Sequence, residues 1–280
     1  MEPTQEERQR ALALKQAAAD DVDVDDKSIT DFEFVQHAII AKDATDKSLE
    51  RIKRLQAFKA RYGILLDGCF DDGIRDVIAF NQSFPGFTLG CGDDKDGSQI
   101  LCYDFSKYRC TRITSDEGYA ICMRAFFYSL QACQADFEAV RAGVRILGDF
   151  EQLSWENFSV QAEKRAAQLY SNCYPMRLKE VAMMNAHPLV RVFYNLLKVF
   201  LSTKVRRAFV MPKRREEYLQ QMKYPTLAIP AEWGGKLTPQ ASAEAFGDRL
   251  KARYENAAKF RLEPIVDRYN DDEYASAAFQ

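Results

Sequence analysis

The sequence predicts an α/β fold built on a mixed, mostly parallel β-sheet with helices on its faces. Three short runs rich in apolar residues have the length and composition of strands, at residues 99–104, 144–147 and 178–184. Long helical patterns separate these runs, at residues 117–142 and 156–171. Strands joined through helices of this length need crossover connections, and such connections leave the strands parallel.

An acidic segment precedes the first predicted helices. The first 27 residues join an Ala-rich stretch to the run DDVDVDD at residues 20–26. A block of like charge this dense repels itself, so residues 1–27 are predicted to form a flexible, solvated segment. The alternative is that the acidic run docks a protein partner.

A small all-α subdomain is predicted at residues 28–83. Thr30, followed three residues later by Glu33, has the pattern of a capping box at a helix start. Apolar residues then recur at helical spacing over residues 49–62, and Gly63 supplies a stop.

The remaining elements follow the third predicted strand. Residues 206–211 predict a fourth short strand, and residues 232–235 predict a turn. Residues 242–262 have a helical pattern, so residues 241–280 are predicted to form a C-terminal helix and tail.

The stretch with the most distinctive pattern is residues 188–201, PLVRVFYNLLKVFL. Its polar residues Arg191, Asn195 and Lys198 fall on one narrow stripe of a helix, and the rest of its surface is apolar. A helix needs about 20 residues to cross a bilayer, so this one is too short to span a membrane. It is either buried in a large core or moves its apolar face between a protein pocket and a lipid surface.

A cationic cluster follows this helix directly. Six positive charges lie within twelve residues, on Lys204, Arg206, Arg207, Lys213, Arg214 and Arg215. Near an anionic membrane each basic residue contributes on the order of 1 kcal/mol of attraction. For the cluster alone a solvated surface is the alternative, but beside an apolar helix the cluster favours contact with an anionic membrane.

The composition excludes several classes of protein. The 280 residues carry 39 basic and 41 acidic side chains, which argues against a surface built to bind nucleic acid. Seven cysteines occur without a CxxC pair, so neither a zinc framework nor a disulfide scaffold is expected, and a reducing, cytoplasmic compartment is favoured. The charged N-terminus is unlike a secretory signal peptide.

The sequence contains none of the catalytic motifs that we searched for. Its two histidines, His37 and His187, belong to no metal-binding or nucleophile motif. Asp104 and Asp149 both end strand candidates, where α/β enzymes place catalytic carboxylates. Without a nucleophile or metal beside them, a capping or turn-stabilising role is favoured. We therefore expect a binding protein and not an enzyme, with no metal site and no cofactor.

Four short motifs occur in one order: YPMRLK at 174–179, MNA at 184–186, LLKVFLS at 196–202 and IPAEWGG at 229–235. In order and spacing they resemble the CRAL-TRIO lipid-binding domain family, and the resemblance covers about residues 30–240. It implies a lipid-binding domain at residues 84–240, with a pocket floored by the sheet. It also implies that the 188–201 helix covers this pocket as a gate.

The resemblance implies that one hydrophobic molecule is bound and transferred between membranes without covalent chemistry. FLSTK at 200–204 is similar to the FLTEK of tocopherol- and retinaldehyde-transfer proteins, so the expected ligand is tocopherol-, retinoid-, carotenoid- or other prenyl-lipid-like. The protein is expected to be a cytoplasmic monomer that visits membranes transiently.

Two alternatives to this carrier stay open. One is exchange of phosphatidylinositol or phosphatidylcholine, although Met176 and Ala208 replace the Glu and Lys of phosphoinositide-transferring members. The other is a lipid-sensing regulatory module that binds a protein partner through the acidic run or residues 242–280.

Apolarity and alternation select the residues expected to line the pocket. They are Phe126, Leu130, Val144, Ile146, Leu169, Val181, Met183, Val190, Phe193 and Leu197. The resemblance also implies a phosphoinositide held at the membrane surface by basic residues, here Arg177, Lys179 and Lys204. The family's fourth basic position is Ala208, and Arg206 or Arg207 is expected to take its place.

Overall fold

The computed structural model of the protein describes residues 2–41, 45–64, 70–186 and 188–263. The strands of this part are β1 (Thr88–Asp93), β2 (Gln99–Asp104), β3 (Val144–Asp149), β4 (Leu178–Met184) and β5 (Phe209–Val210). They form one sheet in the order β1-β2-β3-β4-β5. The β1–β2 pair is an antiparallel hairpin, and the other three pairs are parallel.

Helices precede the sheet and flank it. In chain order they are α1 (Gln5–Asp20), α2 (Asp31–Ala41), α3 (Thr45–Tyr62), α4 (Phe70–Ser83), α5 (Asp116–Ala132), α6 (Phe137–Ala142), α7 (Val160–Gln168), α8 (Pro188–Leu197), α9 (Thr203–Arg207), α10 (Arg215–Met222) and α11 (Pro239–Lys259). The predicted mixed, mostly parallel sheet with flanking helices and an all-α N-terminal region is confirmed.

Strand β1 was not predicted, because its sequence TLGCGD is rich in glycine and reads as a loop. The glycines are needed for packing: a Cβ atom on Gly92 would come within 2.5 Å of the Ala228 Cα atom. The predicted fourth strand at 206–211 is shorter than expected. Only Phe209–Val210 pairs with β4, because Thr203–Arg207 forms helix α9.

Two predicted helices end earlier than expected, and a second helix follows each of them. The expected helix at 117–142 is divided because Asp136 accepts a 2.8 Å hydrogen bond from the Ala139 amide and caps α6. The expected helix at 188–201 ends at Leu197, and Ser202 then caps α9 through the amide of Val205.

Helix α1 is a packed part of the N-terminal region. Ala11, Leu14 and Ala18 on its inner face are buried, and α1 packs against α2 and α3. The predicted flexible segment at residues 1–27 is thereby corrected over Gln5–Asp20, because small residues on one face let neighbouring helices approach closely. The acidic run that follows is partly neutralised.

One ion pair of the acidic run and one capping box at the start of α2 order this part of the chain. Lys53 of α3 pairs with Asp21 of the acidic run at 2.8 Å. The predicted capping box is present, since the Thr30 hydroxyl accepts from the Glu33 amide at 3.2 Å and the Glu33 carboxylate accepts from the Thr30 amide at 3.0 Å.

Buried polar residues join the N-terminal helices to the rest of the molecule. Glu33 pairs with Lys59 of α3 at 2.8 Å; burial alone would raise the pKa of Glu33, but the Lys59 and Arg253 charges lower it to about 2. The Gln36 side chain donates to the Pro175 carbonyl at 3.0 Å and accepts from the Arg253 guanidinium of α11 at 2.7 Å. One hydrogen-bond chain therefore connects α2, the turn before β4 and α11.

Candidate functional site

A cavity of about 140 Å³ lies between one face of the sheet and helices α5, α7 and α9. Its aromatic lining residues are Phe87, Tyr103, Phe105, Tyr108, Phe126, Phe150, Phe158, Tyr170 and Phe209. Its aliphatic and small lining residues are Ile146, Leu153, Ala166, Ala167, Leu178, Val181, Met183, Leu201 and Val205. Among the described residues, the lining has two further members, Asn157 and Glu163.

The sheet side of the cavity follows from strand alternation. Ile146 on β3 and Val181 on β4 are register partners, and Met183 lies two residues further along β4 on the same face. Next to Ile146 on this face is Gly148, and the Phe105 and Phe150 rings stack over it with centroids 4.3 Å apart. A Cβ atom at position 148 would come 2.5 Å from the Phe150 ring. This glycine therefore makes room for the aromatic wall.

An aromatic cluster and one buried amide hold the wall beside β2 in place. The Phe87 ring stacks on Tyr103 at 4.9 Å and on Tyr108 at 5.0 Å. The buried Asn157 side chain donates to the carbonyls of Phe105, Ser106 and Tyr108 at 3.0–3.1 Å. Because these bonds satisfy its amide group, Asn157 fixes the loop after β2 rather than offering a free donor to the cavity.

The predicted lining residues fall into three groups. Phe126, Ile146, Val181 and Met183 line the cavity. Leu130, Val144 and Leu169 do not, because they are fully buried in the main core. Val190 of α8 is fully buried beside Phe150 and Met183, next to the cavity. The side chains of Phe193 and Leu197 lie outside the described residues.

Glu163 is a lining residue that the sequence reasoning missed. It lies in the first turn of α7, and Ala166, Ala167 and Tyr170 follow on the same side of the chain and also line the cavity. Its side chain is half-buried, and burial removes water from its carboxyl group. This desolvation raises the pKa of Glu163 to about 7. The spacing i, i+3, i+4, i+7 was the available signal for an inward-facing acid.

Helix α8 and the residues after it place apolar side chains on the outside of the cavity region. Val192 on α8 is 56% exposed, and Val199 just beyond α8 is 72% exposed. Phe200 is also exposed, with the Lys164 ammonium 5.6 Å from its ring centroid. On the loop before α7, Trp155 is 70% exposed. Several large apolar residues exposed on and just after α8 favour an interaction surface rather than a solvated one.

The predicted basic contact residues are in two different environments. Lys204, Arg206 and Arg207 are exposed on α9. Lys179 instead pairs with Asp96 at 2.7 Å, and the Arg177 guanidinium donates to the Arg141 carbonyl at 2.9 Å. The α9 cations and Arg177 are therefore exposed, whereas Lys179 is half-buried in its ion pair.

We call residues 186–214, which contain α8 and α9, the gate segment. Its two ends are held together by Asp149, Asn185 and Arg215, a cluster that we name the gate clamp. The Asn185 side-chain amide donates to the Asp149 carboxylate at 3.1 Å, and the Arg215 guanidinium forms an ion pair with the same carboxylate. Asn185 has a positive φ of 52°, which asparagine adopts more readily than most residues. The clamp fixes the base of the segment that contains α8 and α9.

The carboxylates considered as catalytic candidates have structural partners. Asp104 and Asp149 are register partners on β2 and β3. Asp104 accepts from the Ser106 amide at 3.0 Å and hydroxyl at 2.6 Å, and Asp149 belongs to the gate clamp. Within the described ranges, no group of three or more His, Cys, Asp or Glu residues is arranged to hold a metal, and no helix is long and apolar enough to cross a membrane.

Comparison with known proteins gives one family match and two kinds of relative. The CRAL/TRIO domain matches residues 84–235, more than half of the 280 residues. Tyrosine-protein phosphatase non-receptor type 9 of Mus musculus and of Homo sapiens is 29% identical over 115 residues, 41% of this chain and 19% of each phosphatase. The crystal structure of Sfh5 aligns with a TM-score of 0.57 and 12% identity, over 90% of this chain and 97% of that chain. The last likeness concerns the fold alone.

Proposed function

Because this chain belongs to the CRAL/TRIO domain family, we propose that it binds one hydrophobic molecule in the cavity and carries it between membranes. The observation that supports this function most directly is the lining of the cavity, which is almost entirely aromatic and aliphatic. Transfer of an apolar molecule from water into such a lining is favourable by roughly 25 cal/mol per Å² of buried apolar surface. The proposed activity includes no covalent step, and Asp104 and Asp149 are engaged in loop contacts.

The size of the cavity supports a moving cover. Ligand pockets usually measure about 300–1,000 Å³, and this cavity has about 140 Å³. A lipid therefore enters only if α8 and α9 move outward and enlarge the space. In the open state the apolar face of α8 would meet either the ligand or the bilayer, so little apolar surface is exposed to water at any step.

The outer surface of the gate segment supports docking on an anionic membrane. Val192 and Val199 present apolar surface, which favours insertion among lipid headgroups. Arg206 and Arg207 lie on α9, the helix that follows these apolar residues in the gate segment. Apolar insertion combined with charge attraction is the usual basis of reversible membrane binding.

We propose a tocopherol-, retinoid-, carotenoid- or other prenyl-lipid-like ligand rather than a phospholipid. Among the described lining residues there is no Lys, Arg or His to neutralise a phosphate group. Met176, which replaces the Glu of phosphoinositide-transferring members, is buried in the main core and does not line the cavity. A phosphate placed inside would be desolvated without a partner, which is strongly unfavourable.

Extraction of the purified protein into organic solvent, followed by mass spectrometry, tests this function. We expect one hydrophobic molecule to copurify with the protein. We also expect the protein to accelerate transfer of this molecule between donor and acceptor liposomes. An empty cavity together with no uptake from liposomes would refute carriage. Recovery of phosphatidylinositol or phosphatidylcholine, with transfer of the labelled lipid, would instead establish phospholipid exchange.

A further inference from the structure

The Glu163 carboxyl is the one charged side chain among the described residues that line the cavity. It stands on α7 opposite the sheet, with Ala166 and Ala167 beside it and the Tyr108 and Tyr170 rings in the same lining. Within the described part of the chain, no donor forms a hydrogen bond or ion pair with it, and desolvation is the one cause that raises its pKa.

An unpartnered carboxyl in an apolar cavity is costly for the protein. Burial without a donor disfavours the charged form of a carboxyl, because the lost contact with water is not replaced by another hydrogen bond. Its charge also acts on neighbours: burial first, and then nearby groups that include Glu163, raise the pKa of Tyr108 and Tyr170. A leucine or alanine here would remove this cost, and a hydrogen-bond donor brought into the cavity would offset it.

We propose that the Glu163 carboxyl is the receptor for a hydroxyl group at one end of an otherwise apolar ligand. The inference rests on the proposed carrier function and narrows its cargo to long-chain or polycyclic alcohols. A hydroxyl donates one hydrogen bond to the carboxyl without bringing a second charge into the cavity. The remainder of the ligand would occupy the aromatic and aliphatic lining.

Other head groups fit the site less well. A phosphate would face the Glu163 carboxyl with no cation among the described lining residues, so like charges would repel in an apolar setting. An ester or a methyl ether has no donor hydrogen and would leave the carboxyl unpartnered. A primary amine would form an ion pair with the Glu163 carboxylate. Tighter binding of an amine is therefore the competing outcome in the experiment.

Three probes with the same fluorescent tail test the assignment: a pyrene-labelled long-chain alkanol, its methyl ether and the corresponding amine. Their Kd values are measured for the full chain and for Glu163→Leu and Glu163→Gln. We expect the parent to bind the alkanol about tenfold more tightly than the ether, the difference that one hydrogen bond to a buried carboxyl supplies. The ratio of the Kd for the ether to the Kd for the alkanol should fall from about ten in the parent to about one in Glu163→Leu. In Glu163→Gln this ratio should lie between the two values.

The control is Glu138→Gln, which removes an exposed acid on α6 and should keep the tenfold preference. Thermal unfolding of each variant verifies that the fold persists. Equal binding of alkanol and ether by the parent, or an unchanged preference in Glu163→Leu, overturns the assignment while carriage stands. A stronger preference for the amine also overturns it. If the parent binds none of the probes, the proposed function itself fails and this inference with it.

Discussion

The side-chain carbonyl of Asn185 accepts a 2.9 Å hydrogen bond from the backbone amide of Arg215, across the base of the gate segment. Asn185 precedes α8 and Arg215 begins α10, so this bond joins the two points where the gate segment leaves and re-enters the body of the protein. Asp149 of β3 ties both residues to the sheet. Both ends of the segment are therefore tied to the carboxyl end of β3.

Replacing Asn185 by alanine is expected to loosen this base. Alanine lacks the two hydrogen bonds of the side chain and is strained at a positive φ, so we expect a loss of about 1–3 kcal/mol of unfolding free energy. Hydrogen exchange in residues 188–214 should become faster. Asn185→Gly is the matched control: it loses the same bonds but accepts the backbone angle, so it should be less destabilised. Equal loss in both would mean that strain contributes nothing.

Reversing two charges on α9 is expected to weaken membrane binding while ligand affinity stays nearly unchanged. Arg206→Glu with Arg207→Glu should lower the affinity for anionic liposomes about tenfold or more, because attraction becomes repulsion. Cosedimentation with liposomes measures this, and ligand affinity in solution should change little. The matched control is Lys95→Glu with Lys251→Glu, which alters exposed charges on the β1–β2 turn and on α11. Equal losses in the two double variants would indicate an effect of net charge alone.

The pKa of Glu163 predicts a dependence of stability on pH. The group titrates near 7 in the folded protein and near 4.5 in the unfolded chain, so the folded state binds the proton more tightly. The free energy of unfolding should therefore fall as pH rises from about 4.5 to 7, and this group accounts for up to about 3 kcal/mol of that fall. Above pH 7 its contribution should stay constant.

Urea unfolding at several pH values measures this dependence. Glu163→Gln has no titrating group here, so the difference in unfolding free energy between variant and parent should grow as pH rises towards 7. Parallel curves for parent and variant would contradict the assignment of a raised pKa to this carboxyl.

A methyl group at position 148 is expected to damage the cavity wall. In Gly148→Ala the new Cβ would meet the Phe150 ring at 2.5 Å and the Phe105 ring at 2.7 Å, so these rings must move into the cavity. We expect at least a tenfold loss of affinity for the pyrene-labelled alkanol and a loss of about 1–3 kcal/mol in stability. Gly247→Ala on α11 is the control, since its Cβ would have ordinary contact with Ile74 at 3.8 Å and should stabilise the helix. Similar affinities of both variants for the alkanol would mean that Gly148 does not shape the ligand-binding cavity.

Much of the sheet follows from local pattern, and the exceptions have physical causes. Strands β2 and β4 were predicted at the residues they occupy, because their apolar runs are continuous and end at turns. Strand β1 was missed because glycine gives no pattern, although its contact with Ala228 requires glycine. Caps such as Asp136 divide helices that periodicity alone would continue.

The cavity could be predicted only in part, because apolarity does not separate a packed core from a lined space. Ile146 and Val144 lie on the same face of β3, yet only the former reaches the cavity. The aromatic wall of Phe105 and Phe150 depends on the absence of a side chain at Gly148 beneath the two stacked rings, and their separation along the chain hides this contact. Glu163 was not among the predicted lining residues, because acidic side chains are usually expected to face solvent.

The family match ends at residue 235, but the Gln36–Pro175–Arg253 chain of hydrogen bonds begins before it and closes after it. Gln36 also holds Gln134 at the end of α5 at 2.5 Å. A fragment cut to residues 84–235 would leave the Pro175 carbonyl and the Gln134 side chain facing solvent or one another without their donor. We therefore expect the smallest piece of this protein that folds on its own to be larger than its recognisable domain, and expression work should retain the helices on both sides.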